Sequence, residues 1–180
     1  MKSAQRRTEM AGSFGLRRQL IAEITGCEGA DVVIETLPEG APALVQPSGW
    51  ALSLANKGQV TVVALSKTAP AIGVDVEWVR EIRWQPMLDM ICADGEREAF
   101  ARTYAGKAGA QEAFFRLWTL KEAVLKATQR GFRAGVKAVA VPEALLASSG
   151  QGYILAFGER YDVWTAHTAG AVVSLAVKPG

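Results

Sequence analysis

Histidine is almost absent from this chain: His167 is the single one among 180 residues. That excludes a metal centre built on several imidazoles, and any Ser-His or Cys-His nucleophile chemistry would have to run through that one side chain. Cysteine is nearly as scarce. Cys27 and Cys92 form no C-x-x-C pair and no dense framework, which excludes a disulfide scaffold and points to a reducing cytoplasm, with both thiols read as small buried apolar groups. No run approaches the ~20 apolar residues of a membrane span, and the opening MKSAQRRTEMAGSFG has no apolar stretch of a secretory signal. A cytoplasmic protein with no membrane contact is therefore expected. Charge of one sign is lacking too: 20 Lys plus Arg against 18 Asp plus Glu leave +2, too little to announce nucleic-acid binding. The opening stretch is the local exception. Lys2, Arg6, Arg7, Arg17 and Arg18 face only Glu9 there, which reads either as a solvated terminus or as a basic rim for an acidic partner.

The composition, 49% hydrophobic and 21% charged, is that of a globular chain able to bury a core, as one domain or two small packed units. Ser13 is placed to cap a helix carrying Leu16, Leu20, Ile21 and Ile24 at helical spacing, with Gly26 to end it. DVVIETL (31–37) alternates as a strand, and LPEGAPALVQPSG reads as loop. WALSLA and QVTVVALS flank Asn56-Lys57-Gly58, a hairpin signal, and AIGVDVEWV follows as a strand. Asp94 is placed to cap a helix stopped by Gly106, and a longer helix is expected from about Gln111 to Thr128. GYILAFG, YDVWTAH and AVVSLAV close the chain as strands. SLANKGQVTVVAL and TAHTAGAVVSLAV echo each other as hairpins that follow helical segments, which permits a duplicated α+β unit.

The chemistry-bearing residues fall in two segments. Alternation along AIGVDVE puts Ile72, Val74 and Val76 on one strand face and Gly73, Asp75 and Glu77 on the other. Two carboxylates roughly 7 Å apart at the backbone can converge on one cation, or can simply be two solvated acids. Gly73 between apolar residues suggests close approach by a ligand or by another backbone. In FFRLWTLKEAVLKATQRGF, Trp118, Glu122 and Lys126 are spaced by four along one helix face. Helix geometry alone favours a Glu122–Lys126 ion pair worth about 0.3–0.5 kcal/mol, and Trp118 reads as a core anchor.

Taken together and in this order, Ile72-Gly-Val-Asp75-Val-Glu77 and Phe114 to Lys126 resemble the two signatures of the 4'-phosphopantetheinyl transferases, [IV]-G-[IV]-D-[IV]-E and F-x-x-x-W-x-x-K-E-A-x-x-K. Weaker likenesses extend the match along the chain. Arg18-Gln-Leu-Ile resembles the family's R-x-L-L helix, Gly40-Ala41-Pro42 its G-K-P loop, and Ser53 to Gly58 its S-L-S-H-S-G hairpin. The resemblance implies an α+β fold of two pseudo-symmetric halves, each a small antiparallel sheet packed by helices. Residues 1–69 would be the coenzyme-binding half and 70–180 the half with the catalytic motifs.

The implied reaction moves the phosphopantetheine arm of coenzyme A to a serine of an apo acyl or peptidyl carrier protein and releases 3',5'-ADP. It depends on Mg2+, with Mn2+ as a substitute, and a monomer suffices. Asp75, Glu77 and Glu122 would be the metal ligands and Glu122 also the base. Lys126 and Lys121 would hold the pyrophosphate, and Arg18, Asn56 and Lys57 would assist in binding the coenzyme. This sequence departs from the pattern at two coenzyme contacts: Ala41 stands for the lysine of the loop, and Asn56 for the histidine of the hairpin. Gln129 replaces a usual glycine after the long helix, and Gly131 remains. A non-catalytic relative that binds coenzyme A or a carrier as a scaffold is the alternative.

Overall fold

In a computed structural model the described residues are 2–129 and 135–180, with side chains from Phe14 onward. The chain opens with α1 (Lys2–Thr25). Ser13 lies inside this helix and does not cap it. The preceding Ala, Arg, Gln, Glu and Met are strong helix formers, so the helix begins well before Ser13. Gly26 ends it as expected, with φ 76° and its N–H donated to Ala22 O at 2.8 Å.

β1 (Val33–Thr36) and β2 (Pro42–Gln46) form one antiparallel ribbon. β2 corrects the loop expected over these residues: Ala43-Leu44-Val45 is apolar enough to pair, with Leu44 opposite Ile34, and Pro42 sits at the strand's first residue where a ladder tolerates it. β3 (Ala51–Lys57) and β4 (Val60–Ser66) form the expected hairpin around Gly58. α1, β2 and these strands bury a small core of Ile21, Val32, Leu44 and Leu52.

The rest of the chain builds a four-stranded antiparallel sheet, order β5-β8-β7-β6, from β5 (Ala71–Trp78), β6 (Gly150–Ala156), β7 (Glu159–Thr168) and β8 (Ala171–Lys178). α4 (Ala110–Ala127) lies across one face of it, carrying Phe114, Leu117, Leu120 and Val124 into the main core. Thr119 Oγ1 meets Ser174 Oγ on β8 at 2.7 Å, and Ser174 reaches Thr165 on β7, so the polar atoms beneath the helix satisfy one another. The other face of β5 packs on the β3–β4 hairpin through Val74, Val76 and Ala55.

Two short helices precede α4. α2 (Gln85–Ile91), not anticipated from sequence, turns Trp84, Leu88 and Ile91 inward with Pro86 in its first turn. α3 (Glu96–Tyr104) starts after Gly95, which takes the cap position in place of Asp94. α5 (Ala144–Ala147) covers the start of β6. Among the described residues no helix is long and apolar enough to cross a membrane.

Candidate active site

Gly73 explains how the two motifs meet. A Cβ built on it would lie 1.9 Å from Ala123 O and 2.5 Å from Ala127 N, so only glycine lets the backbone of α4 cross β5 here. The close neighbour anticipated at Gly73 is thus a backbone. Two and four residues along the same strand face, Asp75 and Glu77 emerge beside the last turns of α4, where Glu122 and Lys126 point back at them.

Lys126 is the hub. Its Nζ donates to Asp75 Oδ1 and Val74 O at 2.8 Å each and reaches Leu54 O at 3.5 Å. This replaces the expected Glu122–Lys126 pair: β5 offers Lys126 a carboxylate and a carbonyl, and β3 a second carbonyl, more together than an i,i+4 partner can. Lys57, at the end of β3, donates to Glu77 Oε1 at 2.7 Å, and Arg80 reaches Glu77 Oε2 at 3.0 Å. Arg80 was not singled out in the sequence, although its i+3 spacing from Glu77 was the available signal. Glu122 Oε1 is buried and has no hydrogen-bond partner. Burial, then the Asp75 carboxylate and Glu77, push the Glu122 carboxyl up to about 7 against the relief that Lys126 gives. Asp75 is raised from the usual carboxylate range by burial first and Glu77 second, with Lys126 opposing both.

A cleft of about 280 Å³ opens beside Lys126, lined by Gly40, Ala41, Pro42, Ser53, Leu54 and Gln129 among others, with Glu39 at its side. The loop and hairpin that the sequence marked as separate weak likenesses thus border one cavity that Lys126 also lines.

Three expected coenzyme residues are not brought to this cluster. Lys121 is fully buried on another face of α4, its Nζ 2.7 Å from Glu96 Oε2 and also donating to Val139 O. Glu96, in the first turn of α3, also accepts the N–H groups of Ala93 and Val141. Lys121 is therefore an internal tie between α4, α3 and the 139–141 segment, and cannot reach a phosphate. Arg18 spends its guanidinium on Gly29 O and Ala30 O, bracing the turn after α1. Asn56 is exposed on β3 opposite Thr61. Gly131 and the side chains of Lys2, Arg6 and Arg7 lie outside the described residues.

Elsewhere, Trp118 packs against the main core as expected. The Cys92 thiol is pushed up to about 11 by burial and by Glu96, as an inert thiol should be, and Cys27 is free and half-buried. His167 Nδ1 lies 3.2 Å from Glu112, near the start of α4 and away from the cluster.

Against known proteins, the family model of the 4'-phosphopantetheinyl transferase superfamily matches residues 71–176. This chain belongs to that superfamily. The matched span runs from the start of β5 nearly to the end of β8 and holds both motifs. A curated relative, the 4'-phosphopantetheinyl transferase psf-1 of Bacillus pumilus, is 30% identical over 122 residues, 67% of this chain. The chain spans half the length of that relative. The crystal structure of the holo-[acyl-carrier-protein] synthase of Thermotoga maritima is 18% identical with a TM-score of 0.43, covering 62% of this chain and 64% of its own. Within the superfamily this chain has the mixed α+β architecture, with antiparallel sheets and helices packed on them.

As they stand, no three His, Cys, Asp or Glu side chains among the described residues form a cluster that could hold a metal ion, and Asp75 and Glu77 are paired with Lys126, Lys57 and Arg80. The donor set nevertheless fits a hard divalent cation. Asp75 and Glu77 both disfavour ionisation of Glu122, and the orphaned Glu122 Oε1 is a buried acceptor with nothing to accept.

Proposed function

We propose that this chain transfers the 4'-phosphopantetheine arm of coenzyme A to a serine of an apo acyl or peptidyl carrier protein, releasing 3',5'-ADP, with Mg2+ or Mn2+ required. The observation that carries the reading is the junction of β5 and α4, where Asp75, paired with Lys126, and Glu77 lie near enough to Glu122 to oppose its ionisation, beside a cleft that Lys126 lines together with the 40–42 loop and the β3–β4 hairpin. Asp75, Glu77 and Glu122 would hold the cation, and a bound cation would supply positive charge to offset that of the pyrophosphate and of the departing phosphate. Lys126 lines the cleft and would place its ammonium against a pyrophosphate oxygen. The serine Oγ attacks the phosphorus that carries the pantetheine arm, the bond from that phosphorus to the bridging oxygen breaks, and the electron pair leaves on the nucleotide phosphate. Glu122 would take the hydroxyl proton, directly or through a water. The absence of a histidine near the cluster costs this chemistry nothing, since a carboxylate and an ammonium carry the proton and the charge.

We place the site between two halves of one chain, 1–69 supplying the cleft wall and 70–180 the carboxylates and Lys126, so a monomer is sufficient. Neither nucleic acid nor a membrane has a part in the reaction, and a cytoplasmic location suits a coenzyme and a carrier found there. Coenzyme A, Mg2+ and an apo carrier incubated with the chain should give a carrier heavier by one phosphopantetheine arm. Failure to modify several carriers, with coenzyme or carrier still bound, would assign the scaffold role instead.

A further inference from the structure

Two of the three carboxylates at the junction are already neutralised from within the chain. Asp75 has Lys126, which approaches from the side of the cleft where a phosphate would sit. Glu77 is different. Its two oxygens are divided between Lys57 at 2.7 Å and Arg80 at 3.0 Å, and neither of these residues lines the cleft beside Lys126. Lys57 is also tied locally, because Trp78 Nε1 donates to Lys57 O at 3.2 Å. The Lys57–Glu77 pair therefore fastens the tip of the β3–β4 hairpin to the end of β5, and the same hairpin gives Ser53 and Leu54 to the cleft wall. The Lys57 side chain is 36% exposed and Glu77 only 13%, so Lys57 can withdraw into water without opening the core, whereas Glu77 cannot follow it.

Both Glu77 oxygens are occupied, Oε1 by Lys57 and Oε2 by Arg80, so a divalent cation that takes Glu77 through Oε1 meets the Lys57 ammonium there. Two positive groups within a few ångströms on one partly buried carboxylate repel strongly. We infer that Lys57 is an internal counter-ion of Glu77 that competes with the divalent cation, so that loading is an exchange in which Lys57 leaves Glu77, and that Lys57 is not a coenzyme-binding residue. This rests on the reading that Asp75, Glu77 and Glu122 hold the cation. It makes cation affinity adjustable from the hairpin, and makes the cleft wall sense whether the ion is present.

The test is titration of the full chain with Mn2+ alone, without coenzyme or carrier, reading free Mn2+ by electron paramagnetic resonance. Lys57 lies at the surface end of a hairpin, so Lys57→Met is expected to fold, and circular dichroism checks that it does. Lys57→Met should bind Mn2+ at least about fivefold more tightly than the wild type, because a competing charge is gone. Lys57→Arg, which keeps the charge, should bind within about twofold of the wild type. In the wild type, hydrogen exchange of the 51–66 amides should quicken when Mg2+ is added, and in Lys57→Met it should be fast from the start. Equal or weaker Mn2+ binding by Lys57→Met overturns the exchange while leaving the carboxylate site intact. Absence of Mn2+ binding by wild type and variant alike overturns the site and the exchange together.

Discussion

Glu122 concentrates the electrostatic strain of the junction in one side chain. Its carboxyl titrates at about 7 in the folded chain against an ordinary 4.5, so between those values the folded protein holds a proton that the unfolded one has lost. Stability of the metal-free protein must then fall as pH rises from about 4.5 to about 7 and stay lowered above that. Glu122→Gln, which carries no charge at any pH, should be about 1–2 kcal/mol more stable than the wild type at pH 8 and no more stable at pH 4.5, measured by urea unfolding in chelator. Excess Mg2+ should remove the wild-type loss. Of the residues at this junction, Asp75, Glu77, Glu122 and Lys126 were legible because periodicity fixes the strand or helix face each one takes, while the resemblance of the two motifs to the family's signatures named them as one set. Lys121 was not. It is adjacent to Glu122 in sequence but turned about 100° around the helix, and its partner Glu96 lies too far along the chain for any spacing rule to connect them.

At the level of elements, the approach of α4 to β5 decides whether a site exists at all. Gly73→Ala would drive a methyl group into Ala123 O and Ala127 N, backbone atoms that cannot turn aside. It should cost at least about 3 kcal/mol in urea unfolding and abolish transfer with it. Gly152→Ala is the contrast: there the obstacle is Leu145 Cδ2 at 2.7 Å, the end of a side chain that can rotate away, and about 1 kcal/mol or less is expected. The buried Glu96–Lys121 tie belongs to the same scale. Lys121→Met leaves the Glu96 carboxylate buried without its counter-ion and should cost about 3–5 kcal/mol, most of it recovered in the double variant with Glu96→Gln. The long helix and the last three strands were readable because their apolar spacing is long and regular. β2 was hidden by its proline and glycine neighbours, and the start of α1 by a polar sequence whose helix formers carry no apolar stripe.

For the whole molecule, a net charge of +2 averages over opposite local arrangements: acids gathered where β5 meets α4, and bases gathered in the opening segment. Carrier proteins are typically acidic, so that segment should speed encounter with the carrier, and kcat/KM for the carrier should fall several-fold between low salt and about 0.5 M while kcat changes little. A salt-independent kcat/KM would remove the steering role. The superfamily was legible from two motifs, but the cleft was not. It forms only when the 40–42 loop and the β3–β4 hairpin fold against the end of α4, and no periodicity in the chain announces that meeting. The most direct test of the account is the intact mass of an apo carrier protein after incubation with this chain, coenzyme A and Mg2+. The account predicts a gain of one phosphopantetheine arm that disappears with Asp75→Ala, with Glu122→Ala and with chelator; an unchanged mass with the wild-type chain, or a gain that survives both substitutions, would contradict it.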